Sequence, residues 1–317
     1  MSLTVTNLCK KYGERTVVDN LNFSIDQPGV FALLGTNGAG KTTSIRMMLG
    51  MLASNGGEVL WKGKPLDSIA DSVGYLAEER GLYPKYTLMD QLLYFAKLKS
   101  VPKKEALERI KTLADKLEVS NYLYPEKIKG KVKPYKAEQL SKGNQQKIQL
   151  LAALISDPEL LILDEPLSGL DPVNTDIFKA IIREEIAKGK YIIMSSHQMA
   201  TIEEFCEDIV ILNKGKTVLQ GNLNEIKKSY GRVNLHVKVE GDVEPLIHEL
   251  NLTIANRIPG EYHIKVTKDE EANQLLHKIM EHKLPLVKFE LREPSLHEIF
   301  VEKVGDNEPS YEQVKHK

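Results

Sequence analysis

Gly35-Thr36-Asn37-Gly38-Ala39-Gly40-Lys41-Thr42 fits the pattern G-x-x-x-x-G-K-[ST] and stands between an apolar run, Val30 to Leu34, and a helix-like segment. Strand, glycine-rich loop and helix in that order make a cradle for phosphate. Glycines at 35, 38 and 40 let the backbone approach a polyphosphate closely, while successive N–H groups and the following helix N-terminus direct partial positive charge at it. Lys41 then reaches the β and γ phosphates, and Thr42 offers a hydroxyl to Mg²⁺. A glycine-rich turn with no ligand is the alternative, and the strand and helix on either side argue against it.

Further along, Leu160 to Leu163 is an unbroken apolar run that ends in Asp164-Glu165-Pro166, which sets two carboxylates at the end of a strand buried on both faces. A cation explains the pair: Asp164 holds Mg²⁺ directly or through water, and Glu165 polarises an attacking water. Ser141-Lys142-Gly143-Asn144 opens a helix whose N-cap is Ser141 and whose accessible mouth suits a phosphate, although an ordinary capped helix has the same appearance. Asp171, before Pro172, fits a helix cap. His197 ends another core strand, where it either donates to a γ-phosphate or serves structure. Tyr12 either stacks on an adenine ring or covers the sheet.

At 317 residues the chain has room for two domains. A formal net charge of -1 gives no reason to expect a nucleic-acid partner. Cys9 and Cys206 stand far apart, so neither a zinc site nor a disulfide framework is expected, and the reduced cytoplasm fits best. No apolar run approaches the ~20 residues that cross a bilayer, and Met1 to Lys11 lacks the apolar core of a signal peptide.

The elements that position these residues follow from periodicity. Leu3 to Cys9 and Arg15 to Ile25 read as extended segments around a turn at Lys10 to Gly13, and Thr42 to Leu52 as a helix with Ile45, Met48, Leu49 and Leu52 on one face. Thr87 to Glu118 reads as two helices, with Leu107, Ile110, Leu113 and Leu117 forming the stripe of the second. Leu123 to Gln139 reads as a polar connection, and Ile209 to Leu212 with Thr217 to Gln220 as a closing hairpin.

Taken together, phosphate loop, Ser141-Lys142-Gly143-Asn144-Gln145-Gln146-Lys147, Leu160 to Pro166, Ser168-Gly169-Leu170-Asp171 and Ser195-Ser196-His197 resemble, in their order, the ATP-binding subunit of an ABC transporter. The resemblance covers Leu3 to roughly Leu223. It implies an α/β fold: a P-loop ABC ATPase domain over residues 1–223, with a mixed sheet core and a helical subdomain at about 80–156. Tyr12 becomes the adenine-stacking residue, and Gly35, Thr36, Asn37, Gly38, Ala39, Gly40, Lys41, Thr42 and Thr43 hold the phosphates. Thr42 and Asp164 hold Mg²⁺, Glu165 is the catalytic carboxylate and His197 the γ-phosphate switch. Ser141, Gly143, Asn144 and Asp171 complete the ATP site of a second chain, most simply in a homodimer.

Two departures fall in the signature, where Lys142 and Asn144 replace the commonest residues, and a third is Glu78, where the family has glutamine. Glu78 is expected to remain close to the metal. The stretch Glu78 to Tyr86 and Glu293 to Phe300 also look like the bacterial subgroup that exports sodium or drugs through a separate permease. That implies a peripheral protein on the cytoplasmic side of the membrane, with an integral permease as partner. Beyond Leu223 the pattern strand, helix, strand, strand, helix, strand matches a small ferredoxin-like α+β unit over 230–304, with a hairpin at Pro259-Gly260, followed by a polar tail at 305–317 expected to be disordered. The alternative function is a soluble ABC ATPase in regulation, translation or DNA repair, although no second cassette, coiled coil or zinc motif marks one.

Overall fold

Alternating apolar residues in the first 25 positions form two long antiparallel strands, β1 (Leu3–Tyr12) and β2 (Arg15–Ile25), with Leu3, Val5, Leu8, Leu21 and Phe23 turned inward. The computed structural model describes residues 2–66, 72–79, 81–126, 133–258 and 260–305. After β3 (Gly29–Gly35) and α1 (Lys41–Met48) come β4 (Gly56–Trp61), β5 (Lys64–Pro65) and β6 (Val73–Leu76). The helices α2 (Leu88–Leu98), α3 (Lys103–Lys116), α4 (Ser120–Leu123) and α5 (Lys142–Leu154) follow, then β7 (Leu160–Asp164), α6 (Pro172–Ala187), β8 (Tyr191–Ser196), α7 (Met199–Ile202), β9 (Cys206–Asn213) and β10 (Lys216–Asn222).

Two sheets organise this first unit, Met1–Gln220. One is antiparallel, in the order β2-β1-β4-β5; the other runs β10-β9-β3-β8-β7-β6 and is parallel from β9 to β6. Every residue of β7 and β8 is buried, as unbroken apolar runs in a parallel sheet require. Register brings Leu34 opposite Ser196 and Asp164 opposite Ser195. The carboxyl ends of β3, β7 and β8 therefore share one edge, the place where open α/β sheets receive ligands.

Two helical readings are corrected. Helix α1 stops at Met48 rather than Leu52, because Gly50 takes a left-handed φ of 68° and ends it. In α3 the inner line is Ala106, Ile110, Ala114 and Leu117, while Leu107 is exposed. The alanines allow α3 to approach α2 and α5 closely, and the bulkier leucine is displaced outward. Helix α4 ends on the first residue of the segment expected to be a plain connection, within which a 3-10 turn at Ala137–Gln139 is present and Lys136 bridges to Thr87.

The second unit, Gly221–Lys317, contains α8 (Leu223–Tyr230), β11 (Asn234–Val239), α9 (Glu244–Glu249), β12 (Thr253–Ile258), β13 (Glu261–Lys265), α10 (Asp269–Glu281), β14 (Leu286–Arg292) and α11 (Leu296–Gly305). Its sheet has the order β12-β13-β11-β14, with all pairs antiparallel. Alternate residues Leu235, Val237, Tyr262 and Ile264 pack with Ile247, Leu275 and Ile279 of α9 and α10. Helix α8, capped by Asn222, and helix α11 were not read from the sequence. Pro259 of the expected hairpin and residues 306–317 of the expected tail lie outside the described residues.

Gly74 shows how tightly α5 sits on β6: a Cβ there would lie 2.5 Å from the Ala153 carbonyl oxygen and 2.7 Å from Pro158 Cγ. Backbone cannot yield cheaply to such a contact, so Gly74→Ala is expected to destabilise the first unit by about 1–3 kcal/mol. Urea denaturation of the two proteins side by side measures it.

Candidate nucleotide site

The loop between β3 and α1 is held by its neighbours from both sides. A Cβ on Gly35 would meet the Leu212 carbonyl oxygen at 2.5 Å, and one on Gly40, whose φ is 106°, would meet the Val17 carbonyl oxygen at 2.8 Å. Gly215 N–H, from the turn between β9 and β10, donates to Ala39 O at 3.1 Å. The loop is thus seated against β2 on one side and β9 on the other. Only glycine permits either approach.

Lys41 is 5% exposed and folds back over the loop. Its Nζ donates to Gly35 O at 2.9 Å and Thr36 O at 3.3 Å, and stands 3.1 Å from Glu165 Oε1. Glu165 Oε1 makes an ion contact there without hydrogen-bond directionality. Glu165 Oε2 accepts from His197 Nδ1 at 2.8 Å and from the His197 backbone N–H at 3.4 Å. Glu165 also has a left-handed φ of 49°, a rare conformation for this residue that turns its side chain back over the strand end.

Asp164 lies deeper and is fully buried. Its Oδ1 accepts from Ser195 Oγ at 2.5 Å, and the Thr42 hydroxyl also bonds to the carboxyl. Oδ2 is buried with no partner. Burial raises the pKa of this carboxyl, and the Glu165 charge adds to that; the Ser195 and Thr42 bonds and the Lys41 charge oppose it. An orphaned carboxylate oxygen beside a threonine hydroxyl is a hard oxygen donor set, and it fits Mg²⁺.

Ser195 ties the Asp164 carboxylate to the Glu165 backbone, because its Oγ donates to Asp164 and accepts from the Glu165 backbone N–H at 2.9 Å. Sequence reasoning quoted this serine and gave it no role. Its register opposite Asp164, which only strand pairing discloses, is what identifies it.

A second cluster forms around Asn174. Ser141 caps α5 by accepting from Asn144 N–H at 3.3 Å, and Asp171 caps α6 by accepting from Asn174 N–H at 2.9 Å and Nδ2 at 2.5 Å. These Asn174 bonds hold the Asp171 carboxyl below the usual range. A Cβ on Gly143 would lie 3.1 Å from Asn174 Nδ2. The Asn144 side chain donates to Tyr122 Oη at 2.9 Å. No bond joins this cluster to the Lys41, Asp164 and Glu165 network among the described residues. Tyr12 is at the tip of the β1–β2 hairpin, about half exposed, with the Lys10 ammonium 5.0 Å from its ring centre. Thr43 is half-buried in the first turn of α1. Glu78 lines a cleft of about 640 Å³ with Glu79, Gln146, Glu165 and Ser168.

Residues 18–168 match the family model described as ABC transporter, and residues 221–304 match the model described as ATP-binding protein DrrA1-3-like, C-terminal domain. The uncharacterized ABC transporter ATP-binding protein YhaQ of Bacillus subtilis (strain 168) is 44% identical over 306 residues, covering 96% of this chain and 98% of that protein. The chain belongs to the ABC transporter ATP-binding proteins. Nod factor export ATP-binding protein I of Ralstonia nicotianae is 29% identical over 96% of this chain and 94% of its own length. A solved structure of the ATP-binding subunit of an ABC transporter aligns with a TM-score of 0.65 at 29% identity, over 73% of this chain and 94% of that one. This ABC subunit binds nucleotide, hydrolyses ATP to power transport, and works with membrane permease components, as its family does. No helix among its described residues is long and apolar enough to cross a membrane.

Because Ser195 pairs both the Asp164 carboxylate and the Glu165 backbone N–H, Ser195→Ala is expected to lower stability by about 1–3 kcal/mol, the cost of leaving buried polar groups unpaired. Thermal unfolding measures the loss. Asp164 gives a pH test. Its raised pKa means that its contribution to stability is full below the unfolded value of 3.8 and is lost as pH rises through the folded value. Asp164→Asn, which removes the buried charge, is therefore expected to raise the Tm of the nucleotide-free protein at about pH 7, with the gain shrinking as pH falls through the raised pKa.

Proposed function

We propose that two copies of this chain close around two Mg·ATP and, through alternating closure and opening, drive an integral permease that exports its substrate. The observation that carries this reading is the network in which Lys41, Asp164, Glu165, Ser195 and His197 converge at the end of β7. In it residues 1–223 form the ATP-binding domain and 230–304 an accessory domain. Tyr12 stacks on the adenine, and Gly35 through Thr43 hold the phosphates.

Thr42 and Asp164, with Glu78 close by, would hold Mg²⁺, which neutralises charge on the β and γ phosphates. The γ-phosphate takes Lys41 from the carbonyls of Gly35 and Thr36, and this frees Glu165 Oε1. Glu165 then accepts a proton from water as the water oxygen attacks the γ-phosphorus and the bond to the β–γ bridging oxygen breaks, so that ADP leaves with that oxygen, and His197 holds the carboxylate from its other oxygen. Ser141, Gly143, Asn144 and Asp171 stand apart from the chain's own network, which suits them to the ATP held by the other copy. The relative named for Nod factor export supports the direction of transport. A peripheral position on the cytoplasmic face follows from docking on a permease.

Glu165→Gln keeps size and hydrogen bonding but removes the base, so turnover is expected to fall by about 10² or more while ATP binding survives. Size-exclusion chromatography with ATP should then recover a dimer; wild-type hydrolysis by the variant would contradict the assignment. Glu78→Ala is expected to change both ATPase rate and transport, and if neither moves in vesicles that contain the permease, Glu78 has no place beside the metal.

A further inference from the structure

The second unit has a polar face opposite its core, and one part of that face is unlike the rest. Side chains alternate along each strand, so Leu235 and Val237 of β11 and Tyr262 and Ile264 of β13 turn to the helices, whereas His236, Glu261 and His263 turn the other way. His236 lies directly opposite His263 in the β11–β13 register, and their rings stack with centroids 3.8 Å apart at 19°. Despite its position on the polar face, His236 is only 6% exposed.

Both imidazoles point one nitrogen at the same carboxylate oxygen. His236 Nδ1 is 3.3 Å and His263 Nε2 is 3.4 Å from Glu261 Oε1, and the three atoms lie within 4.8 Å of one another. For metal–ligand bonds of about 2.0–2.1 Å a tetrahedral edge is roughly 3.4 Å, so two of the three separations have that length, and the stacked rings must splay to aim both in-plane lone pairs at one ion. We propose that His236 Nδ1, Glu261 Oε1 and His263 Nε2 bind one divalent transition-metal ion of the Zn²⁺ type.

Two imidazoles and one carboxylate suit a borderline ion rather than Mg²⁺ or Ca²⁺, which take oxygen. Without metal the two facing nitrogens donate to Glu261; when the ion binds, each ring's remaining proton lies on the nitrogen away from Glu261. Burial, with Arg292, His263 and Lys288 nearby, holds the His236 pKa below the usual imidazole value despite the bond to Glu261. Lys288 occupies the cation's place in the metal-free protein: its Nζ donates to Glu261 Oε1 at 3.0 Å and stands 3.2 Å from Glu290 Oε2. When the metal binds, the ammonium retains Glu290 as partner and releases Glu261. The site therefore exchanges one cation for another rather than exposing an uncompensated carboxylate.

The test uses the full chain without nucleotide, in excess Mg²⁺ to occupy hard oxygen sites, titrated with Co²⁺ as a spectroscopic probe. Expected are the intense visible bands of tetrahedral Co²⁺ at one equivalent, their displacement by Zn²⁺, and an affinity at least about tenfold weaker in His236→Ala and His263→Ala. Lys288→Met removes the competing ammonium and is expected to tighten binding several-fold, a gain that damage to the fold would not produce. Absence of the bands from both wild type and Lys288→Met would overturn the proposal. So would their persistence in both histidine variants, or their loss in Cys9→Ser/Cys206→Ser.

Discussion

Two adjacent carboxylates buried at the end of a strand are costly to take from water, and much of the first unit's architecture answers that cost. Each ion taken from water loses several kcal/mol of solvation, and close like charges add to the loss. The answer is unequal. Glu165 faces an ammonium and an imidazole, whereas Asp164 has two hydroxyl groups and one oxygen left bare. Lys41 in turn depends on Glu165 and two loop carbonyls, so the loop is pre-shaped around a positive charge that it can surrender. The nucleotide-free state thus contains internal substitutes for both partners of a phosphate: a carboxylate in place of the anion, and an open acceptor in place of the metal's coordination.

The same logic separates the two clusters. The Lys41 network is inward, buried and mutually bonded, while the Ser141, Gly143, Asp171 and Asn174 group satisfies itself through two helix caps. A group that is complete within one chain yet leaves helix N–H donors outward is suited to an anion that arrives from elsewhere. The two clusters thus differ in kind: one is a buried network of charges, the other a pair of capped helix starts.

How much of this was legible in sequence depended on whether the interaction was local. The phosphate loop, the N-caps at Ser141 and Asp171 and the apolar runs of β7 and β8 are set by neighbours in sequence, and they could be read directly. The βαββαβ order of the second unit was also visible, because strand and helix periods differ. What escaped came from distance in sequence: the Ser195 hydroxyl between the Asp164 carboxylate and the Glu165 backbone N–H, the rotation of α3 onto its alanines, and the stacked histidines of β11 and β13, 27 positions apart (263 − 236). His236 and His263 carry no local signal, because each is a lone histidine in an alternating strand and only the β11–β13 register brings them together. Helices α8 and α11 were missed because each is short and lies where a linker or a motif had already been assigned.

The seat of the phosphate loop has a mechanical consequence. Val17 of β2 presses on both Gly40 and Gly215, and Gly215 binds Ala39, so three segments distant in sequence meet at a point with no side chain to cushion them. The hairpin that ends at Tyr12 is continuous with Val17 through β2. Movement at the hairpin tip is therefore passed along the backbone of β2 to the loop glycines, so the Tyr12 ring and the turn before α1 are linked through one strand.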